Sequence, residues 1–409
     1  MSAVEPSSGG AESRSDDAEP SSSDAEPRSD NAEPDSRDAE LRSDDVERTA
    51  AAARAWDLLS WLPLRIERCE LEPLSVQFSP EFERKTTVVH LIGAGRESAG
   101  QGVREGVGED VVYDAIDHEI RQQAGPPPLA GDFTLASFSE HLASIDLFPE
   151  PPQREVSVRY RTWAFESAAL DLALSQAETT LHQALGVELA PLRFVVSLRL
   201  GEPPSLEPLL ERLRIAPQMR FKLDPTPGWD EDLIAQLVEL QAVDSVDLKG
   251  CYEGTIVDNP ADPHLYKRVA EAFPHAWIED PRLNPETEAA LEGHLQRVTW
   301  DAPIHEVADI EALARRPLCI NVKPSRIGRL QDLLQVYAYC GEQRIACYGG
   351  GQSELGPGRG QIEYLASLFH PNGPNDVAPS GWNLPQPPAD LPGSPLPTKA
   401  AATGFRWSD

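Results

Sequence analysis

The chain has 409 residues, 40% of them hydrophobic, and a formal charge of −31. That length suggests two or three domains, and the negative charge repels phosphate backbones, which sets nucleic acid aside as a partner. No apolar run approaches the roughly 20 residues of a membrane helix, so no membrane partner is expected.

The N-terminus, MSAVEPSSGG, has neither the basic start nor the apolar stretch of a signal peptide. Five cysteines (Cys69, Cys251, Cys319, Cys340, Cys347) form no CxxC pair. An odd set without pairing motifs reads as reduced thiols and a cytoplasmic location. Residues 1–50 hold 15 Asp or Glu and 5 Arg, no Phe, Tyr or Trp, and Ala-Glu-Pro repeated at Ala18, Ala25 and Ala32. The seven-residue spacing carries proline and no second apolar position, so it offers no coiled-coil seam. Residues 1–52 are therefore expected to form a disordered acidic tail, whose removal would leave stability unchanged.

From Arg65 to Val103 the pattern is strand-rich, with glycines at the turns. A helix is expected at Phe133–Ile145 and one long amphipathic helix over residues 164–185, ending at Gly186. Residues 53–190 thus read as an α+β capping domain. From Phe194 the texture changes to alternating strands and helices, about seven βα units, which argues for a parallel barrel over residues 191–383. Residues 384–409 are proline-rich and read as a C-terminal tail, loose or wrapped on the surface.

In a βα barrel, polar groups at the C-terminal ends of strands point into one mouth. Successive predicted strands here end in Lys222, Asp247, Glu279, Asp301 and Lys323, separated by 25, 32, 22 and 22 residues. One lysine or aspartate after a strand is commonly a loop residue or a helix cap. Five in phase, each about one βα unit apart, are a stronger signal. Three carboxylates from neighbouring strands suit a hard divalent cation, Mg²⁺ with Mn²⁺ as the alternative, leaving positions for a substrate carboxylate. The glycines at 349–351 lack the Lys-Ser/Thr of a phosphate loop, and the nine histidines show no ligand spacing.

The run INVKPSRIG (320–328), with WIEDP (277–281), VTWDA (298–302), GGGQSELGPGRGQIEYLASL (349–368) and WAFESAALDLAL (163–174), resembles the muconate-cycloisomerase and o-succinylbenzoate-synthase subgroup of the enolase superfamily. The resemblance spans residues 65 to about 383. It implies a (β/α)₇β TIM-like barrel with an N-terminal α+β cap. It also implies removal of the proton α to a carboxylate by a lysine, with Mg²⁺ stabilising the charge that develops. Asp247, Glu279 and Asp301 match the metal ligands, and Lys222 and Lys323 match lysines on opposite faces of a small-molecule carboxylate. On that pattern Lys222 is the base of an o-succinylbenzoate-synthase-like dehydration. Cycloisomerisation, racemisation and a catalytically inactive binding barrel are the alternatives, and homo-oligomerisation is left open. Arg220 stands where the family's K-x-K pair has its first lysine and would support the base electrostatically. Lys249 stands where the family has Asn, and Ala302-Pro303 replace acidic-Ser neighbours. Glu354, after the glycine run, and Ser325 are candidate substrate contacts; the bland readings are a structural turn for the first and a helix cap for the second.

Overall fold

A computed structural model describes residues 36–79, 82–95, 102–253, 255 and 257–407. Helix α1 (Ser36–Ala50) is followed by α2 (Ala55–Leu59) and a small antiparallel region. Strand β1 (Pro63–Ile66) pairs with β5 (Gly131–Thr134), while β2 (Arg68–Ser79), β3 (Phe82–Ala94) and β4 (Val103–Asp110) form a three-stranded meander. Helices α3 (Ala115–Ala124), α4 (Leu135–Ser144), α5 (Ser157–Gln176) and α6 (Leu181–Leu185) complete this part.

The expected single helix over 164–185 is two helices. The chain breaks at Glu178, which adopts φ 55°, and restarts at Thr180, whose side chain caps α6 in a box with Gln183. Nor is α5 amphipathic: every residue from Trp163 to Gln176 is buried. It lies against β4, where a Cβ on Gly108 would come within 2.0 Å of the Ala164 carbonyl oxygen, so only glycine allows this approach.

The tail expectation fails for residues 36–52. Helix α1 buries Val46 and Thr49, and Arg48 donates to the Glu188 carbonyl oxygen at 2.7 Å. Asp45 accepts from the backbone N–H and side-chain amide of Asn372 at 3.0 and 2.9 Å. Burial raises the Asp45 carboxyl to about 7 against the pull of those bonds. Residues 1–35 lie outside the described residues. Removing residues 1–50 is now expected to lower Tm. One buried Val is worth about 2 kcal/mol, and the hydrogen bonds add to it, so a loss on the order of 5 °C should appear in a thermal melt.

The second half alternates as β6 (Val196–Leu198), α7 (Glu207–Ile215), β7 (Phe221–Leu223), α8 (Glu231–Leu240), β8 (Val243–Asp247), α9 (Pro263–Ala272) and β9 (Trp277–Glu279). It continues as α10 (Pro285–Ala290), β10 (Val298–Thr299), α11 (Val307–Ala312), β11 (Cys319–Val322), α12 (Pro324–Ile327), α13 (Leu330–Gln343), β12 (Ala346–Gly349) and α14 (Pro357–Phe369). Strands β6 to β10 form a five-stranded parallel sheet in chain order, and β11 pairs with β12 in parallel. Single parallel bridges, Trp300–Ile320, Gly350–Asp376 and Phe194–Asn375, connect what the sheets leave apart. The expected barrel is thus not one continuous closed sheet among the described residues. Strands of two to five residues leave only isolated bridges at three of the joints.

Past residue 384 the chain is anchored. Leu396 bridges Leu192, Phe405 is buried in the core that includes α5, and Arg406 pairs with Asp171 at 2.7 Å.

Candidate active site

The five strand-end residues come together. Lys222, Asp247 and Glu279 stand on β7, β8 and β9, while Asp301 lies two residues past β10 and Lys323 directly follows β11. All five are buried, Lys323 being the most exposed at 9%. Each lies in or just past a short strand whose neighbouring side chains pack as apolar core.

Lys222 Nζ lies 2.5 Å from Glu279 Oε1, 3.1 Å from Asp247 Oδ2 and 3.4 Å from Asp376 Oδ2. Glu279 also accepts from the Tyr348 hydroxyl, and from Asn321 at 3.4 Å. Asp301 is held by Lys323 at 2.8 Å, Arg326 at 2.5 Å and the Tyr252 hydroxyl at 2.9 Å. Lys249 contacts Asp247 and lies 3.7 Å from Asp224.

Burial and neighbouring carboxylates push Glu279 up to about 8 although Lys222 pulls it down, and push Asp280 up to about 7. Burial likewise raises Asp224 to about 6 against the pull of Lys249. Burial alone would raise Asp247 too, but Lys222 and Lys249 hold it well below the usual carboxylate range. Against the same desolvation, Arg326 and Lys323 hold Asp301 low.

The tightest carboxylate group is not quite the expected one. Oxygens of Asp247, Glu279 and Asp280 all lie within 4.8 Å of one another. Asp280, with φ 47°, turns inward and accepts the backbone N–H groups of Asp301 and Ala302 at 2.8 and 2.9 Å. It thereby ties the end of β9 to the end of β10, while Asp301 is drawn toward Lys323 and Arg326.

The donor set fits a divalent cation. Six carboxylates (Asp224, Asp247, Glu279, Asp280, Asp301, Asp376) share the network with four cations (Lys222, Lys249, Lys323, Arg326). That leaves two negative charges unbalanced in a buried, oxygen-rich setting, and three of the carboxyls respond with raised pKa values.

Arg220 does not join the site. Its guanidinium turns to Asp244 and the Gln241 carbonyl at the opposite end of the strands, where it is 41% exposed. Ser325 is buried inside α12 rather than capping it. Glu354 does reach the mouth, where it pairs with Arg359 at 3.0 Å and accepts the Gln352 N–H at 2.7 Å.

A cavity of about 600 Å³ opens above the network. Lys249, Lys323, Glu354 and Asp376 line it from the parallel-strand side, and Phe78, Phe82 and Tyr113 from the cap. Lys222 does not reach it.

Residues 57–184 match the N-terminal domain and residues 188–384 the C-terminal domain of one family, described as a domain of unknown function (DUF8230). The chain is 27% identical over 242 residues to an o-succinylbenzoate synthase from Geobacillus kaustophilus, covering 56% of this chain and 63% of that one. It is also 27% identical over 348 residues to an N-succinylamino acid racemase from Thermus thermophilus, covering 77% and 86%. A solved enolase-superfamily structure from Enterococcus faecalis superposes with a TM-score of 0.52 at 21% identity, over 78% of this chain and 87% of the other. The chain belongs to the DUF8230 family. It spans about three-fifths of the length of the synthase and most of that of the racemase. Among the described residues, no helix is long and apolar enough to cross a membrane.

Proposed function

We propose that this protein is a Mg²⁺-dependent enzyme that removes the proton α to a carboxylate of a small molecule, in an o-succinylbenzoate-synthase-like dehydration. The observation that carries the reading is the buried ring of carboxylates and lysines beneath the 600 Å³ cavity, two positive charges short of neutrality. Residues 53–190 are read as the cap and 191–383 as a (β/α)₇β-type barrel. The three single bridges support that reading, because they join β10 to β11, and β12 through Asn375–Asp376 to the start of β6.

Asp247, Glu279 and Asp301 would hold the ion, with Asp280 beside them. Bound there, Mg²⁺ supplies positive charge next to the substrate carboxylate, where negative charge grows as the proton leaves. Lys323, which reaches the cavity from the end of β11, accepts the α-proton as the neutral amine and becomes the ammonium. Asp301 orients that ammonium, and Asp301 is fixed in turn by Arg326 and Tyr252. The cap residues Phe78, Phe82 and Tyr113 exclude water above the substrate.

The test is solvent-deuterium incorporation into a panel of α-substituted carboxylates, followed by NMR with Mg²⁺ and with EDTA. Exchange is expected with the metal and is expected to stop on chelation. Exchange indifferent to EDTA, or none on any substrate, would remove the metal-dependent reading.

A further inference from the structure

The sequence pattern pairs Lys222 with Lys323 across the substrate, but a third lysine occupies the ground between them. Lys249 stands two residues past Asp247, beyond the end of β8. Its backbone takes φ 53°, and its side chain is 15% exposed against 1% for Lys222. Lys249 lines the cavity together with Lys323, which belongs to a strand three places further along the strand order. Lys222 points beneath, into Asp247, Glu279 and Asp376.

We infer that Lys249 is the fixed cation that touches the substrate, and that Lys222 is a buried counter-ion beyond the substrate's reach. The inference rests on the reading that the cavity takes a small carboxylate. Asp247 holds the Lys249 ammonium on one side, and Asp224 stands 3.7 Å away on the other. Oδ1 of Asp224 makes no hydrogen bond among the described residues, so on that side the hold is electrostatic rather than a directed bond. An ammonium clamped in this way is oriented before the substrate arrives, and it opposes charge growing on the carboxylate without reorganisation. One cavity-facing cation and one proton-moving lysine are the equipment of an elimination. A racemase needs two proton-moving groups, one on each face.

The experiment uses the full chain with Mg²⁺ and two readouts: succinate affinity by calorimetry, and α-deuterium exchange. Lys249→Met should weaken succinate about tenfold and slow exchange about a hundredfold or more. Lys249→Arg, which keeps the charge, should retain at least a tenth of the exchange rate. Lys323→Arg should bind succinate normally and lose exchange. The assignment is overturned if Lys249→Met keeps both affinity and rate, or if Lys249→Arg is as slow as Lys249→Met. Wild-type protein that does not bind succinate overturns it as well. If succinate binding depends on Lys249 while no substrate exchanges, the dehydration reading falls and the cation assignment stands.

Discussion

Glu279→Gln is expected to abolish Mg²⁺-dependent proton exchange, by at least about a hundredfold, while leaving the fold in place. Glu279 is fully buried at the end of β9 and sits at the centre of the network, in contact with Lys222, Tyr348 and Asn321. A glutamine has nearly the same shape; its carbonyl oxygen can accept from Lys222 while its amide N–H donates to the Tyr348 hydroxyl oxygen, so the surrounding packing has little reason to move. What it lacks is the negative charge that attracts a dication. Asp301 is a poorer target for this purpose, because its removal would also release Lys323 and Arg326. The measurements are exchange rate, Mg²⁺ affinity by calorimetry and near-UV circular dichroism. Undiminished exchange and affinity in a folded variant would exclude Glu279 from the metal site.

Much of this site was legible because five successive strands of the second half, β7 to β11, each carry one ionisable residue at or near the C-terminal end. Lys222, Asp247, Glu279, Asp301 and Lys323 stand out against neighbours such as Val246, Ile278 and Val322, all nearly fully buried. Geometry beyond the strand ends was not legible. Asp280 looks like a loop residue until its positive φ turns the carboxylate back onto the β10 end. Lys249 read as a family departure, and only the cavity shows what it faces. Arg220 misled because residues two apart on a strand share a face, yet the earlier one sits nearer the far end of the strand. There a neighbouring aspartate, Asp244, takes it.

Helix α1 was hidden for a different reason. Its composition is that of a solvated segment, and it is held by tertiary bonds to Glu188 and Asn372 that no local pattern announces. The bridges of Asn375 to Phe194 and of Asp376 to Gly350 were illegible too, since each is a single isolated pairing outside any strand.

Lys222→Met should be the most destabilising single change in the site. It deletes the ammonium that lies between Asp247 and Glu279 and leaves Glu279 without a cation within ion-pair distance among the described residues. Breaking a buried pair by removing one partner costs about 3–5 kcal/mol, because the other charge stays desolvated and unpaired. Removing both partners is much cheaper, so Lys222→Met combined with Glu279→Gln should recover a large part of the loss. The double variant still leaves Asp247 with Lys249, which already contacts it. Urea denaturation in EDTA reads the effect without interference from added metal. A midpoint in Lys222→Met close to that of the parent protein would show that Lys222 is not the counter-ion of this cluster. A double variant no more stable than Lys222→Met alone would place the loss in packing rather than in charge.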